Sequence, residues 1–519
     1  MLKKKSLILV LTVVLVLSFS LSIGYAKEKV LVIGMDTSPI VSLDPAKAYE
    51  FEGSWILDNV YDKLVRFKPG SASEIEAGIA ESWEFSDKMI TFTIREGAKF
   101  SNGNPVNAEA VAYSLKRVVK LAQAPSWVIT QFGVTEDSIK AIGNKVQITM
   151  DKAYSPSLVL SCMTYSVTGT VDPKLAEDNA KEEDMGMAYL SENSAGSGPF
   201  VLTSWEKNQK IIFERNENYW GPKPELDKII IIDIPESSSQ LLQLKGGSID
   251  LAWNLEHDQI PDIEKTEGIY VVSKPQFKLI YFSMNGEIAP TNNVLVRRAV
   301  KSAIDTDAII KAVGGGVTPL HSFVPKGMFG YYDGDEFPYD PEKAKELLKE
   351  AGYPNGFETT LTVPDFLSTE GTVVKAYLEQ VGIKTNLEVI AYTTLLGKYR
   401  KKGLEMVIAR WGADYADPDA NAKPFAHCRT TSDDAKIKQL AWRNAYANPE
   451  MTDMVEEAAF IQDREKREQV YIDLQEKWQS EGVFEPLYQM NIQLGLSDEV
   501  GNFILNELTQ TPWALITLE

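Results

Sequence analysis

Apolar positions along the chain fall into two rhythms. Val30–Met35 reads VLVIGM, a continuous apolar run stopped by Asp36, Ser38 and Pro39, which predicts a strand buried on both faces. Residues 228–234 (KIIIIDI) predict a second buried strand. Residues 90–95 (ITFTIR) alternate before Glu96-Gly97 turns the chain, and 200–205 with 210–214 predict the arms of a hairpin around Lys207-Asn208-Gln209. Elsewhere the spacing is helical. Val111, Leu115, Val118 and Val119 form a stripe in 108–119, and Val296, Ala299, Val300, Ala303, Ile304 and Ala308 form another in 293–311. A helix over 341–351 has Asp340 as N-cap, Pro341 at its first position, and Gly352 with Pro354 to end it. Residues 451–479 predict a largely helical stretch whose many Glu, Lys and Arg form a solvated face. Strands and helices alternate throughout with no low-complexity linker and no fixed repeat, which predicts a mixed α/β protein whose domains are built from several crossings of the chain.

Residues 1–26 break this pattern. Lys3, Lys4 and Lys5 precede an apolar run from Leu7 to Ile23, and Gly24 and Ala26 supply small residues for cleavage before Lys27. This predicts a cleaved signal peptide; the alternative is an uncleaved anchor. No cysteine precedes Cys162, so there is no site for a lipid anchor, and the mature protein is expected free in a periplasmic or other extracytoplasmic space.

Composition narrows the function. A length of 519 residues suggests two to four domains. The formal net charge of −20 argues against nucleic acid and against docking on anionic lipid, both of which need clustered cations. Cys162 and Cys428 are too few for a disulfide scaffold or a Cys-rich zinc module; they could pair or remain as two buried thiols. The histidines His257, His321 and His427 form no H-x-x-x-H pair, and neither a G-x-S-x-G elbow nor a Walker A loop occurs. Gly314-Gly315-Gly316 lacks the following Lys-Ser/Thr and reads as a loop. Asp417, Asp419 and Asn421 have the spacing of calcium ligands, but Cys428 stands at the twelfth position of that frame. No metal and no cofactor is expected. An enzyme using carboxylates alone stays open.

Four segments are more specific: 77–111 (AGIAESWEFSDKMITFTIREGAKFSNGNPVNAEAV), 196–220 with GSGPF, Trp205 and ERNENYW, 339–356 (YDPEKAKELLKEAGYPNG), and 410–418 (RWGADYADP). With Ser42-Leu43-Asp44-Pro45, YDKLVRF at 61–67, and Asn285 followed by Val296-Arg297-Arg298-Ala299-Val300, the series resembles the family 5 extracellular solute-binding proteins of ABC importers, the dipeptide- and oligopeptide-binding group. The resemblance covers nearly the whole mature chain.

It implies a bilobed α/β fold of the periplasmic-binding-protein class II type with an extra inserted subdomain. One lobe would comprise 27–57, 184–276 and 489–519, the inserted subdomain 58–183, and the second lobe 277–488. Gly198-Pro199 suits either a fixed turn between lobes or an ordinary turn into the hairpin. Trp83 and Trp220 read as core. The implied function is capture of a di- or oligopeptide between the lobes, hinge closure, and delivery to a membrane permease, by a monomer that is not an enzyme. The alternative ligand is an oligosaccharide, and a distant alternative is a secreted carboxylate hydrolase.

Arg410-Trp411-Gly412-Ala413-Asp414 has strand-end composition, the place where ligands collect in open α/β sheets. Gly412 could admit a ligand backbone, Trp411 offers an apolar wall, and Asp414 could accept from an ammonium. The resemblance implies that Asp414 holds a peptide's α-amino group; the competing reading is that it caps the next turn. Arg410 could pair with an acid or reach a ligand carboxylate. Asp417 and Asp419 are expected to shape the loop. Tyr488, Tyr281 and Asn285 are further candidates near the crossings, with the 38–40 loop behind them.

Overall fold

A computed structural model describes residues 28–253, 255–334 and 337–519, so the expected signal peptide lies outside the described residues. No described helix is long and apolar enough to cross a membrane.

One large sheet organises the chain. Its main path is made by β1 (Val30–Met35), β2 (Phe200–Glu206), β3 (Lys210–Arg215), β4 (Lys228–Asp233), β5 (Leu251–Ala252), β6 (Ile269–Met284), β7 (Glu358–Pro364), β8 (Lys384–Ile390), β9 (Met406–Gly412) and β10 (Phe484–Ser497), and the two-residue strand Val317–Thr318 pairs with β10 off this path. The path runs in the order β8-β7-β9-β6-β10-β5-β1-β4-β3-β2. β1 is parallel to both β4 and β5, and its unbroken apolar run follows from cores on both faces: Leu31, Ile33 and Met35 pack into one and Val32 against another. The hairpin β2–β3 turns at Asn208, in the left-handed region at φ 57°.

β6 and β10 are unusually long, 16 and 14 residues, and pair antiparallel along most of their length. From Ile269 to Pro275, β6 pairs with 491–497, and from Leu279 to Ser283 with 484–489. Between these stretches the register shifts, at Pro275/Leu279. On one side of this crossing β10 continues into β5 and β1; on the other β6 continues into β9, β7 and β8.

A separate four-stranded antiparallel sheet within 80–149 is covered by helix α1 (Ala108–Leu121), capped by the Asn107 side chain on Ala110 N. Its apolar core, with Phe92, Leu115 and Val128, is continuous with that around Tyr281, Met406 and Trp478. Tyr154 packs on Phe460 at 5.1 Å, and Ser155 N donates to Ala459 O at 2.8 Å. A second core gathers β1, Trp55, Phe200 and Trp513.

Two predicted helices are broken. The 293–311 stripe divides into α2 (Val294–Ala303) and α3 (Thr306–Ala312). Ile304 is extended, and the Asp305 side chain accepts from Ala308 N at 2.9 Å, so a polar cap restarts the helix where the apolar period runs on. The 451–479 stretch divides likewise into α5 (Pro449–Ala458) and α6 (Arg464–Glu481), with Asp463 capping Lys466 N at 2.9 Å. The expected helix α4 (Pro341–Glu350) forms with Asp340 accepting from Lys343 N at 2.9 Å.

Gly198-Pro199 leads into the hairpin. Gly198 N donates to Val60 O at 3.0 Å, and a Cβ on Gly198 would lie 2.6 Å from the Val60 carbonyl carbon, so close backbone approach requires the glycine. Trp220 is partly buried, donates to Asp62 at 2.6 Å and carries Arg95 over its ring at 4.7 Å. Both cysteines are free and buried.

Asp44 of the early Ser-Leu-Asp-Pro motif takes both Arg117 nitrogens, at 2.7 and 2.5 Å, with both side chains essentially inaccessible. This clamp fastens the 58–183 region to the loop after β1. Asp44→Ala should cost about 3–5 kcal/mol, because it strands a buried guanidinium. Glu74→Ala, which removes the exposed partner of Lys68, should leave the denaturation midpoint unchanged. Chemical denaturation of both variants checks the contrast.

Candidate ligand-binding cleft

The strand end at 410–414 opens beside the crossing of β6 and β10. β9 is buried from Met406 to Ala409 and emerges at Arg410. Its last residues pair across to β6, Gly412 with Lys278 and Arg410 with Ile280. Ala413 N donates to Phe277 O at 2.9 Å and holds the chain one residue past the strand. The space over Gly412 is occupied: a Cβ there would lie 3.4 Å from both Lys278 Cγ and a ring carbon of Phe51.

Asp414 then turns out of the sheet. Tyr49 Oη donates to its carboxylate at 3.1 Å and accepts from Trp127 Nε1 at 2.9 Å. Three distant parts of the chain thus meet at one acid. Burial raises its carboxyl pKa to about 6, with only the Tyr49 hydrogen bond opposing. Among the described residues no cation pairs with it. Tyr49 is pushed upward as well, by its own burial and by the Asp414 charge. The turn-capping reading of Asp414 does not describe these contacts; its oxygen faces Tyr49.

Trp411 is half-buried. Its Nε1 donates to Asn421 Oδ1 at 3.0 Å and its ring meets Phe425 edge-on at 6.2 Å. Trp411 and Asp414 line one cavity of about 130 Å³ together with Trp127. Arg410 is exposed, with its guanidinium 5.1 Å from the Phe366 ring centre and 5.2 Å from that of Tyr392.

Other candidates lie elsewhere. Tyr281 is buried, edge-on to Phe425 and Phe484, and Asn285 bonds to Lys402 O and Leu404 O beyond the opposite end of β6. Both pack the sheet, because β6 runs 16 residues and the cleft lies near its middle. Tyr488 is buried and gives its hydroxyl to Glu370. In the 38–40 loop, Ile40 is buried and Ser38 exposed.

The downstream acids are committed to protein partners. Asp417 takes both Arg467 nitrogens, at 2.6 and 2.7 Å, and Arg467 reaches on to Ser157 Oγ at 2.9 Å. Asp419 accepts from Tyr415 at 2.7 Å and pairs with Lys423 at 2.7 Å; Asn421 donates to Phe323 O at 2.6 Å. These partners build the loop that follows Asp414. Among the described residues no cluster of metal-ligating side chains occurs.

A second cavity, about 220 Å³, lies at the crossing itself, bordered by Glu52, Trp253, Gln276, Lys278, Asn491 and Gln493. Tyr49, Trp127 and Lys278 were not singled out from the sequence, for each gains meaning only from a contact more than 75 residues away or across a sheet.

Comparison with known proteins agrees with this architecture. The model for bacterial extracellular solute-binding proteins, family 5, matches residues 74–433. The probable D,D-dipeptide-binding periplasmic protein DdpA of Escherichia coli K12 is 28% identical, with 98% of each chain covered. Heme-binding protein A of Haemophilus influenzae is 28% identical, with 79% of this chain and 78% of that protein covered. The solved structure of the periplasmic binding protein DppA from Helicobacter pylori, in complex with peptide STSA, is 29% identical, with a TM-score of 0.74 and 94% and 98% of the two chains covered. The chain therefore belongs to the family 5 bacterial extracellular solute-binding proteins and has the bilobed α/β fold of that family.

Proposed function

We propose that this protein captures short peptides between its two lobes and delivers them to the membrane permease of an ABC importer. The observation that carries this is Asp414: a half-buried carboxylate at the strand end, hydrogen-bonded by Tyr49 and, among the described residues, paired with no cation. A peptide's α-ammonium supplies the missing charge and hydrogen-bond donors. A D,D-dipeptide-binding relative and a peptide-bound structural neighbour support the same ligand class. A neutral oligosaccharide would stack on Trp411 but leave Asp414 uncompensated. The lobe limits follow the crossing: 27–57, 184–276 and 489–519 form one lobe, 58–183 its inserted subdomain and 277–488 the other, since β6 and β10 change register near 276 and 489. The carrier acts as a monomer outside the cytoplasm, after cleavage before Lys27.

Mass spectrometry of the protein as purified, under native conditions, should reveal bound peptide masses; bound sugar masses would overturn the reading. Asp414→Ala should weaken peptide binding by about 2–5 kcal/mol in calorimetric titration, and unchanged affinity would remove Asp414 from the site. Asp414→Asn should bind weakly too, yet raise the melting temperature of the ligand-free protein at pH 7, because it deletes a buried charge.

The pH dependence follows from the raised pKa, about 6 against an ordinary 3.8. Between these values the folded state holds the proton more often than the unfolded one, so the destabilisation due to Asp414 is full above pH 6 and fades as pH falls toward 3.8. Peptide affinity should run the opposite way and decline below about pH 6, as the carboxylate that faces the ammonium is lost.

A further inference from the structure

Gly314, Gly315 and Gly316 all lie in the left-handed region, at φ 89°, 88° and 65°. The first finishes helix α3. Gly314 N donates to Lys311 O at 3.2 Å and Gly315 N to Ile310 O at 3.0 Å, the pair of bonds with which a glycine closes a helix. That task needs one glycine only. Helix α4 ends with the same two bonds, from Gly352 and Tyr353, and there a single glycine serves. The other two glycines answer to what lies against the loop, which is one imidazole. A Cβ on Gly314 would lie 3.1 Å from His257 Cδ2, one on Gly315 3.2 Å from Nε2, and one on Gly316 2.2 Å from Nδ1. The loop therefore rests its bare backbone on the His257 ring, too close for a side chain at Gly316. Gln493 completes the contact: its Nε2 donates to Gly316 O at 3.4 Å and to His257 Nδ1 at 3.3 Å. Because a carbonyl only accepts, the amide nitrogen is the atom that faces the loop.

The contact joins the two lobes. On the limits proposed above, residues 314–316 belong to 277–488, whereas His257 and Gln493 belong to 184–276 and 489–519. His257 is held on its own lobe by a capped turn: Glu256 N donates to Gln259 Oε1 at 2.9 Å, and Gln259 reaches Ser237 Oγ at 3.2 Å. The loop is held on the other side by helix α3, and Val317 and Thr318 then pair with Met490 and Gln489 at the crossing. Gln493 also borders the 220 Å³ cavity, so the contact sits at the edge of the space between the lobes. Ring and loop are each shaped by local bonds, and the relative position of the lobes decides whether they touch.

We propose that the 314–316 loop is a strap that seats on His257 when the lobes close on a ligand and lifts when they part, so that it sets how long the ligand is held. The role rests on the peptide reading above and goes beyond it, to how the closed state is kept. His257 is only partly buried, so the seat slows opening without preventing it.

The test uses the full mature chain and a synthetic mixture of di- to pentapeptides. The peptide best retained in native mass spectrometry is resynthesised, and its release after rapid dilution is followed by tryptophan fluorescence, since Trp127 and Trp411 border the Asp414 cavity. His257→Ala takes away the seat and leaves the loop as it is. It should release the peptide at least about tenfold faster, with the association rate and the denaturation midpoint of the ligand-free protein unchanged. Gly316→Ala sets a methyl group against the ring and should release it faster still. Combined in one chain, the two changes should return release to the rate of His257→Ala alone, because the obstruction is gone. Strain of alanine at φ 65° would persist in the double variant and could not produce this return. Release at the wild-type rate from either single variant overturns the strap, as does a double variant as fast as Gly316→Ala or faster; weakened binding by Asp414→Ala would then keep the peptide reading in place. Retention of no peptide by wild type overturns both.

Discussion

The molecule depends on the pairing of two long strands. β6 and β10 pass together from one half of the sheet to the other; β5 joins β10 on one side, β9 joins β6 on the other, and the short strand Val317–Thr318 pairs with β10 between them. A ladder of backbone hydrogen bonds ties the halves while its register slips at Pro275/Leu279. Around the slip, Gln276 and Lys278 on one strand and Asn491 and Gln493 on the other border a cavity. The cavity thus lies where the two strands change register.

Three buried aspartates away from this crossing are matched by cations: Asp44 with Arg117, Asp417 with Arg467, Asp419 with Lys423. Asp62 and Asp172 instead take neutral donors, and Arg297 and Lys301 donate to backbone carbonyls. The matched pairs contribute little net stability beyond packing, but they hold separate segments in one relative position, because either partner alone in the interior would be costly. At the crossing, among the described residues, Asp414 and Lys278 likewise form no ion pair. They are enclosed to a similar degree yet are given only a hydroxyl and an aromatic face. The matched pairs make the walls, and the unmatched groups define what the walls are for.

Much of the fold was legible in the chain. Runs such as VLVIGM and KIIIID announced the buried strands, and Asp340-Pro341 announced a helix start. The splits at Asp305 and Asp463 were not seen, because an apolar period can continue across a polar cap that a local side-chain hydrogen bond decides. The site was legible in part. RWGAD marked itself by an apolar run ending in charged and small residues, whereas Tyr49, Trp127 and Lys278 sit in ordinary local surroundings and meet Asp414 or Gly412 only through the topology. Tyr281 and Asn285 are buried in contacts with the sheet and the 402–404 backbone, which sequence distance along a strand does not reveal.

The two free thiols have a consequence for the history of the molecule. Cys162 and Cys428 are both buried, and burial raises the pKa of each, which suppresses the reactive thiolate. No disulfide joins the two thiols in the native state. The same architecture is accessible whether the surroundings are oxidising or reducing, so a chain synthesised on the inner side of a membrane and one matured outside it face an identical folding problem.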